Sequence, residues 1–487
     1  MSENVLVKGR RRSWTLLGIL IGWTVAAGGV PSVAVFAAED TAADPHRTER
    51  PNIVFLLADD LGYGDLGCYG REDIRTPRLD ELARQGTKFT AHYANGPECT
   101  PTRAAFLTGR YQQWIGGLEC AIGTGNLGRY DDAMRLRETN DLGLPTEQKT
   151  IVRLLKDAGY RTGMTGKWHL GYEPKFAPHL HGFDTTYYCI GGEMDYFHYL
   201  DPVAGYNLFR DGRPIRDEGY FTDRIIDEAV EFVGEEDPRP FFLYVPFTTP
   251  HAPYQSADDR RPHPLPLDSP LWKQSAAPPA TYIAMIERMD EQIGRLLDEL
   301  DRRSIRDETL VVFASDNGGT KSGRNSPYSG YKGSTFEGGI RVPLILRWPG
   351  HVPAGRVSDQ PSITFDLTRS MANLGGVPAD RFADFEGLDI VDHVVSGRDD
   401  LPRTLFWRKP RGTTIWKGVR EGDWKYVAEN KGGKETPFLF NLADDPSETR
   451  DLSERHVDRI SQMKARFDAW EQRTRRNRRG RGETGDE

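Results

Sequence analysis

Residues 52–65, Asn-Ile-Val-Phe-Leu-Leu-Ala-Asp-Asp-Leu-Gly-Tyr-Gly-Asp, decide the architecture of this chain. From Ile53 to Ala58 the run is apolar without alternation, which marks a short strand buried on both faces. It ends abruptly in two carboxylates and a glycine-rich turn. Residues 241–245 (FFLYV), 309–314 (TLVVFA) and 342–348 (VPLILRW) read as strands of the same kind. Between them the apolar period lengthens to that of a helix. Ile151, Leu154, Leu155 and Ala158 share a face that stops at Gly159. Ile283, Ile286, Ile293, Leu296, Leu297 and Leu300 line a longer helix, whose other side carries Glu287, Arg288, Glu291, Arg295 and Asp298. Strands alternating with such helices predict an α/β fold, with a mostly parallel central sheet sandwiched by helices.

After about residue 400 the period falls to two. Trp424, Tyr426 and Ala428 alternate with Lys425, Val427 and Glu429, and Phe438, Phe440 and Leu442 repeat the pattern. With 404–407 and 413–419 they predict about four short antiparallel strands, followed by a helix near 452–472. The expected organisation is a catalytic α/β domain over 38–400 and a smaller antiparallel α+β subdomain over 401–474. A disordered, arginine-rich tail is expected over 475–487.

At the other end, Lys8, Arg10, Arg11 and Arg12 precede an uncharged run over 14–27, which Gly28, Gly29 and Pro31 interrupt. Small residues at 35–38 then give way to acidic, polar sequence. This is the order of a secretory signal peptide over 1–37, cleaved after Ala37, and it predicts a periplasmic or secreted protein. The Arg11-Arg12 pair weakly resembles a twin-arginine signal, so the export route stays open. No later segment supplies about 18 uncharged apolar residues, so the mature form is not expected to span a membrane.

Composition narrows the function classes. Of 487 residues, 37% are hydrophobic, which excludes wholesale disorder. The formal charge of −8 becomes −11 once the four cations and Glu3 of the leader are removed, which argues against a nucleic-acid partner. Four cysteines in so long a chain exclude a disulfide scaffold.

The chemistry gathers at strand ends, where open α/β sheets bind ligands. Asp59 and Asp60 end the first strand, and Asp316 and Asn317 end the strand TLVVFAS. Three carboxylates and an amide are hard oxygen donors that call for a divalent cation. Calcium suits a crowded all-protein cage better than magnesium, which keeps several waters. Cys99-Thr100-Pro101-Thr102-Arg103 opens a helix, with Thr100 expected as N-cap and Pro101 at the first helical position. Cys99 therefore belongs at a helix N-terminus, a place for a thiolate or for something made from it. Lys167 and His169 in GKWHLG, His251 in TTPHAPY and Lys332 in GYKGSTFEGG occupy loops beside strand ends and are candidates for anion recognition. A P-loop is excluded by Arg161 and Trp168. HExxH, CxxC, GxSxG and a GxGxxG after the first strand are all absent.

LLADDLGYGDLGCYG, CTPTRAAFLTGR, GYRTGMTGKWHLG, FASDNGG and GYKGSTFEGGIRVPLILRWPG, taken in order, resemble the formylglycine-dependent, arylsulfatase-like sulfatases of the alkaline-phosphatase-like superfamily. The resemblance runs from Asn52 into VREGDWKYV and LFNLADDPSE. It implies an alkaline-phosphatase-like fold and hydrolysis of sulfate monoesters, here of carbohydrates, through a covalent sulfo-enzyme intermediate. It also implies that Cys99 is oxidised to formylglycine by a separate maturation enzyme. Thr102 stands where that family's core usually has serine, and it keeps the hydroxyl. Asp59, Asp60, Asp316 and Asn317, with the modified Cys99, are implied to bind Ca2+. Arg103 would steady the formylglycine hydrate, and Lys167 would touch both it and the sulfate. Lys332 would hold a sulfate oxygen, His169 would act on the formylglycine hydroxyl, and His251 would sit by the leaving-group oxygen. A phosphonate or phosphate ester hydrolase of the same superfamily and a non-catalytic glycan-binding homologue are the rival readings. Specificity is expected in loops 111–146, 171–220 and 252–280, where His179, His181, Glu193, Asp195 and His198 are polar candidates. Cys68, Cys120 and Cys189 allow at most one internal disulfide.

Overall fold

The computed structural model describes residues 50–123, 130–202, 204–273, 275, 277–398 and 400–475. The expected signal peptide and all but the first residue of the arginine-rich tail lie outside them.

Asn52–Ala58 is the central strand of a ten-stranded sheet. It runs parallel to Phe241–Pro246 on one side and to Thr309–Ser315 on the other. Arg161–Lys167 and Thr185–Cys189 extend the parallel set, whereas Leu344–Arg347 joins antiparallel to Thr309–Ser315. The unbroken apolar run of the first strand has a plain cause, because its alternate side chains serve two cores. Ile53, Phe55 and Leu57 pack among Phe106, Leu155, Tyr244 and Met371. Val54, Leu56 and Ala58 pack among Ile286, Ile293, Leu296 and Phe313. Helices Cys99–Thr108 and Thr364–Leu374 supply side chains to the first core, and Phe221–Gly234 and Pro279–Arg302 supply the second. Each large apolar side chain buried this way contributes about 1.5–3 kcal/mol.

The long helix centres its buried face on Tyr282, Met285, Ile286, Met289 and Ile293, and leaves the expected Ile283 and Leu297 half-buried at its margin. The strand RTGMTGK carries no apolar run that would announce it. Gly166, at φ +136°, lies so close to the neighbouring strand that a Cβ would stand 2.0 Å from the Pro246 carbonyl oxygen, so only glycine fits.

Thr404–Arg411, Thr414–Glu421, Trp424–Lys431 and Lys434–Asn441 form an antiparallel meander, with Trp407 opposite Gly418 and Tyr426 opposite Leu439. The helix Val457–Arg475 lays Met463, Phe467 and Trp470 against it, in a core that also takes in Tyr93, Ala105 and Phe365. A buried ion cluster ties this sheet to the segment carrying Lys332. Lys425 Nζ meets Glu337 at 2.6 Å and Glu448 at 3.8 Å, and the Glu337 N–H donates to Glu448 at 2.7 Å. Burial raises the Glu337 carboxyl, but Lys425, Arg341 and Arg420 outweigh it and hold it at about 2. Burial and the neighbouring Glu337 push Glu448 up to about 8, against the pull of Lys425. No disulfide joins Cys68, Cys99, Cys120 and Cys189. Among the described residues no helix is long and apolar enough to cross a membrane.

Candidate active site

Parallel strands end at a common edge, and that edge assembles the site. Asp59 follows Ala58, Asp316 follows Ser315, Lys167 closes its own strand, and His251 lies on the loop beyond Pro246. Asp60 takes the left-handed region, at φ +65°, uncommon for a residue with a Cβ. Its N–H donates to Asp316 Oδ1 at 3.3 Å.

Cys99 is the first residue of the helix Cys99–Thr108, every residue of which is buried. Thr100 is therefore not the N-cap that the sequence predicts, and Pro101 is the third helical residue rather than the first. The extended residue Glu98 holds the cap position without a side-chain cap bond. The Thr100 hydroxyl is committed elsewhere, donating to the His169 carbonyl at 3.0 Å and accepting from the Ile122 N–H at 3.2 Å. That bond fastens the loop bearing His169 to the start of the Cys99 helix.

The charged groups interlock. Lys167 Nζ lies 2.5 Å from Asp59 Oδ2, and Lys332 Nζ lies 2.8 Å from Asp60 Oδ2. The Arg103 guanidinium donates twice to Asp316 Oδ2, at 2.8 and 3.0 Å, and once to the Lys167 carbonyl at 2.8 Å. Cys99 Sγ is 3.1 Å from Asp59 Oδ1 and 3.9 Å from Asp60 Oδ1. His251 Nε2 is 3.6 Å from Asp60 Oδ2, and the Asn317 amide donates to Asp60 Oδ1 at 2.8 Å. Asp59, Asp60, Cys99 and His251 bring one ligand atom each within 4.8 Å of one another. Asp316, expected beside them, turns one carboxylate oxygen to Arg103, and Asn317 Oδ1 is buried with no hydrogen-bond partner.

The Sulfatase family profile matches residues 51–377. The chain belongs to the Sulfatase family. It is 32% identical to the N-acetylgalactosamine-6-sulfatase of Canis lupus familiaris, over 90% of this chain and 85% of that protein. The steryl-sulfatase of Homo sapiens is 28% identical over 77% of each. Among solved structures, Ps i-CgsB in complex with k-i-k-neocarrahexaose superposes with a TM-score of 0.76 at 32% identity, covering 88% of this chain and 94% of that one. The chain is thus a sulfuric ester hydrolase on the alkaline-phosphatase-like fold.

Electrostatics sharpen what the sulfatase's residues can do. Burial, reinforced by Asp316 and Asp59, pushes the Cys99 thiol well up, so as cysteine it stays protonated and is a poor nucleophile. Burial, with Asp59 nearby, also raises Asp316, to about 6. Burial and Lys332 depress His251 to about 3, and burial with Lys167 and Arg103 depresses His169 well below the usual imidazole range. Both imidazoles are neutral near pH 7. His251 Nδ1 is 2.6 Å from the Ala252 carbonyl oxygen, which only accepts, so Nδ1 carries the hydrogen and Nε2 the lone pair. His169 Nε2 faces the Ile122 carbonyl by the same logic, which leaves a buried Nδ1 lone pair without a partner.

Of the loop candidates, Asp195 is a fully buried brace that accepts the N–H groups of Phe197, His198 and Leu265. His181 packs its ring on Trp168. Glu193, half-buried, feels Lys332 and Lys167.

Sequence reasoning missed Glu98 and Lys409. Lys409 Nζ, from the first strand of the C-terminal sheet, donates to the Gly333 carbonyl at 2.6 Å and lies 3.2 Å from Glu98 Oε1. Gly333 N–H in turn donates to the Pro97 carbonyl at 2.7 Å. One buried cation thereby staples the residue before Cys99 to the residue after Lys332. No local sequence pattern marks it: Trp407, Arg408, Lys409 and Pro410 are all buried in the folded chain, where a half-buried strand should alternate. Lys409→Met is expected to lower kcat by about 10- to 100-fold, because displacements near 1 Å are costly in a preorganised site. Lys409→Arg should recover part of that loss. Steady-state kinetics beside thermal unfolding check this, and full activity in the methionine variant would remove Lys409 from the site.

Proposed function

We propose that the chain hydrolyses sulfate monoesters of carbohydrates, using a formylglycine made from Cys99 and one calcium ion. The observation that carries this reading is the seating of Cys99 Sγ against Asp59 and Asp60, whose outer oxygens are held by Lys167 and Lys332. The carbohydrate assignment draws on relatives: one is named for N-acetylgalactosamine, and one solved neighbour holds a neocarrahexaose.

The residues present fit the metal. Asp59, Asp60 and Asp316 offer carboxylate oxygens at two adjoining strand ends, and the unpartnered Asn317 Oδ1 is a buried acceptor in need of a cation. Charge agrees as well. Three carboxylates are matched by Arg103, Lys167 and Lys332, while both histidines are neutral, so an added divalent cation turns the centre positive for an anionic ester. Calcium held by Asp59, Asp60, Asp316 and Asn317 supplies Lewis acidity, and a formylglycine at position 99 supplies a geminal diol in place of a protonated thiol.

The chain's own side chains then divide the remaining tasks. Lys167 and Lys332 keep their protons beside Asp59 and Asp60 and offer donors to ester oxygens. Arg103, fully buried, fixes Asp316 and the carbonyl of Lys167 in one plane of hydrogen bonds. His169, whose backbone carbonyl accepts from Thr100 beside Cys99, is neutral and can take up a proton at Nδ1. Lys332, which is protonated, is better placed than the depressed His251 to give a proton to the leaving oxygen, and His251 Nε2 can accept a hydrogen bond there.

Peptide mass spectrometry of the active enzyme tests the modification, and unmodified Cys99 throughout would sink it. Comparing kcat/KM on the sulfate, phosphate and methylphosphonate esters of one phenol tests the reaction class, with preference for the sulfate expected. Dialysis against a calcium chelator should lower turnover at least about tenfold and lower the unfolding temperature, both restored by calcium more fully than by magnesium. A chelated protein with unchanged melting and turnover would exclude the metal. Export rests on residues 8–37 alone, and the N-terminal sequence of protein recovered outside the cytoplasm checks it. Formylglycine at position 99 requires a separate enzyme that oxidises the Cys99 thiol.

A further inference from the structure

Two loops that leave the active-site edge of the sheet enclose a second concavity. Residues 190–202 follow Thr185–Cys189, residues 252–265 lie beyond Phe241–Pro246, and together with 204–208 and 216–219 they bound a pocket of about 640 Å³. Its lining includes Phe197, His198, Tyr206, Arg216, Arg260 and Arg261.

The walls of this pocket are braced. Buried Asp195 accepts the Phe197 and His198 N–H groups at 2.9 Å with one oxygen and the Leu265 N–H at 2.7 Å with the other, so one carboxylate pins both loops. The Tyr196 hydroxyl donates to the carbonyls of Thr248, at 2.6 Å, and His251, at 3.0 Å. The residue next to Phe197 thus bonds the backbone of the histidine in the catalytic cluster.

Its chemistry is that of an anionic sugar site. The Arg216 guanidinium carbon lies 3.8 Å from the Tyr206 ring centroid, a cation–π contact that positions the group on the pocket wall. The Phe197 and Tyr206 rings add apolar surface for a sugar face. Arg260 and Arg261 bring further positive charge. Of the acids present, Asp217 is engaged by Arg224 at 3.1 Å and by the Tyr187 hydroxyl at 3.0 Å, and Glu218 reaches Arg260 only at 4.0 Å. The positive charge of the lining exceeds the negative.

We propose that this pocket is a second saccharide subsite, which holds a sulfated sugar of the same oligosaccharide whose scissile ester occupies the buried centre. The inference rests on the carbohydrate reading above and deepens it: the substrate is a multiply sulfated chain rather than a lone sulfated sugar.

The test compares Arg216→Ala and the double variant Arg216→Ala/Arg261→Ala with the wild type on two probes. One is p-nitrophenyl sulfate, which carries no second sugar for the pocket to hold. The other is a set of sulfated hexasaccharides from carrageenan, chondroitin sulfate and heparin. On the hexasaccharide the wild type hydrolyses best, kcat/KM should fall about tenfold in the single variant and further in the double one, with less than about twofold change on the aryl sulfate. The same hexasaccharide should bind Cys99→Ala protein about tenfold more tightly than Cys99→Ala/Arg216→Ala protein in calorimetry, and added salt should narrow the gap. An equal loss on both probes, or none on the hexasaccharide, overturns the subsite and leaves the sulfatase reading standing. A wild type that cleaves the aryl sulfate but no hexasaccharide overturns the carbohydrate assignment, and the subsite with it.

Discussion

Cys99→Ala is expected to abolish turnover, by at least about 10⁴-fold, while the protein still folds. The two halves of this result have separate causes. Cys99 is fully buried at the first position of its helix, and its sulfur meets the Asp59 and Asp60 carboxylates, at 3.1 and 3.9 Å. Alanine is the best helix former, and the space vacated is a single sulfur, so the structural cost is about 1 kcal/mol. Catalytically the substitution removes the group that the proposed chemistry converts to the nucleophile. Arg103, Lys167 and Lys332 are cations, and the three carboxylates are occupied by them. Turnover within tenfold of wild type, measured on a folded variant with an unchanged melting curve, would dismiss position 99 as the nucleophile.

Arg103→Met is expected to be the most destabilising single change in the site, by about 3–5 kcal/mol, and to inactivate the enzyme as well. The side chain is 0% exposed, donates twice to Asp316 and once to the Lys167 carbonyl, and lies 3.8 Å from Asp59. Methionine fills much of the volume but strands a buried carboxylate without its cation and a backbone carbonyl without its donor. Asp316 already sits high, at about 6, because burial and Asp59 oppose its charge even with Arg103 in place. Arg103→Lys should lie between the two, since one ammonium cannot reproduce the planar fork that reaches both Asp316 and the Lys167 carbonyl. Denaturant unfolding of the three proteins measures the order, and equal stability of wild type and Arg103→Met would contradict it.

The strand Asn52–Ala58 announced itself because both its faces are buried, so no polar residue interrupts the run. Arg161–Lys167 did not, because its glycines answer the close neighbouring backbone rather than an apolar period. Thr100 has the local signature of a cap, because capping propensity is local, but its hydroxyl is claimed by His169, 69 positions away. Lys409 was invisible as a site residue for the same reason, since it reaches Gly333 and Glu98 only after the C-terminal sheet has docked. The second saccharide pocket is likewise a product of docking: Phe197, Arg216 and Arg260 share no local pattern.

Sequence by itself determined the carboxylate-bearing strand ends, a helix opening beside Cys99 and the kinds of charge present, because each is set by residues within one turn or strand of one another. Only the tertiary structure decided which charge faces which. Lys167 finds Asp59 across 108 positions, and Lys332 finds Asp60 across 272. A side-chain pair so distant in the chain has no periodicity to betray it. Its partners are chosen by the parallel order of the strands, which delivers Asp59, Asp316 and Lys167 to one edge, and by burial, which leaves no water to satisfy an unmatched charge there.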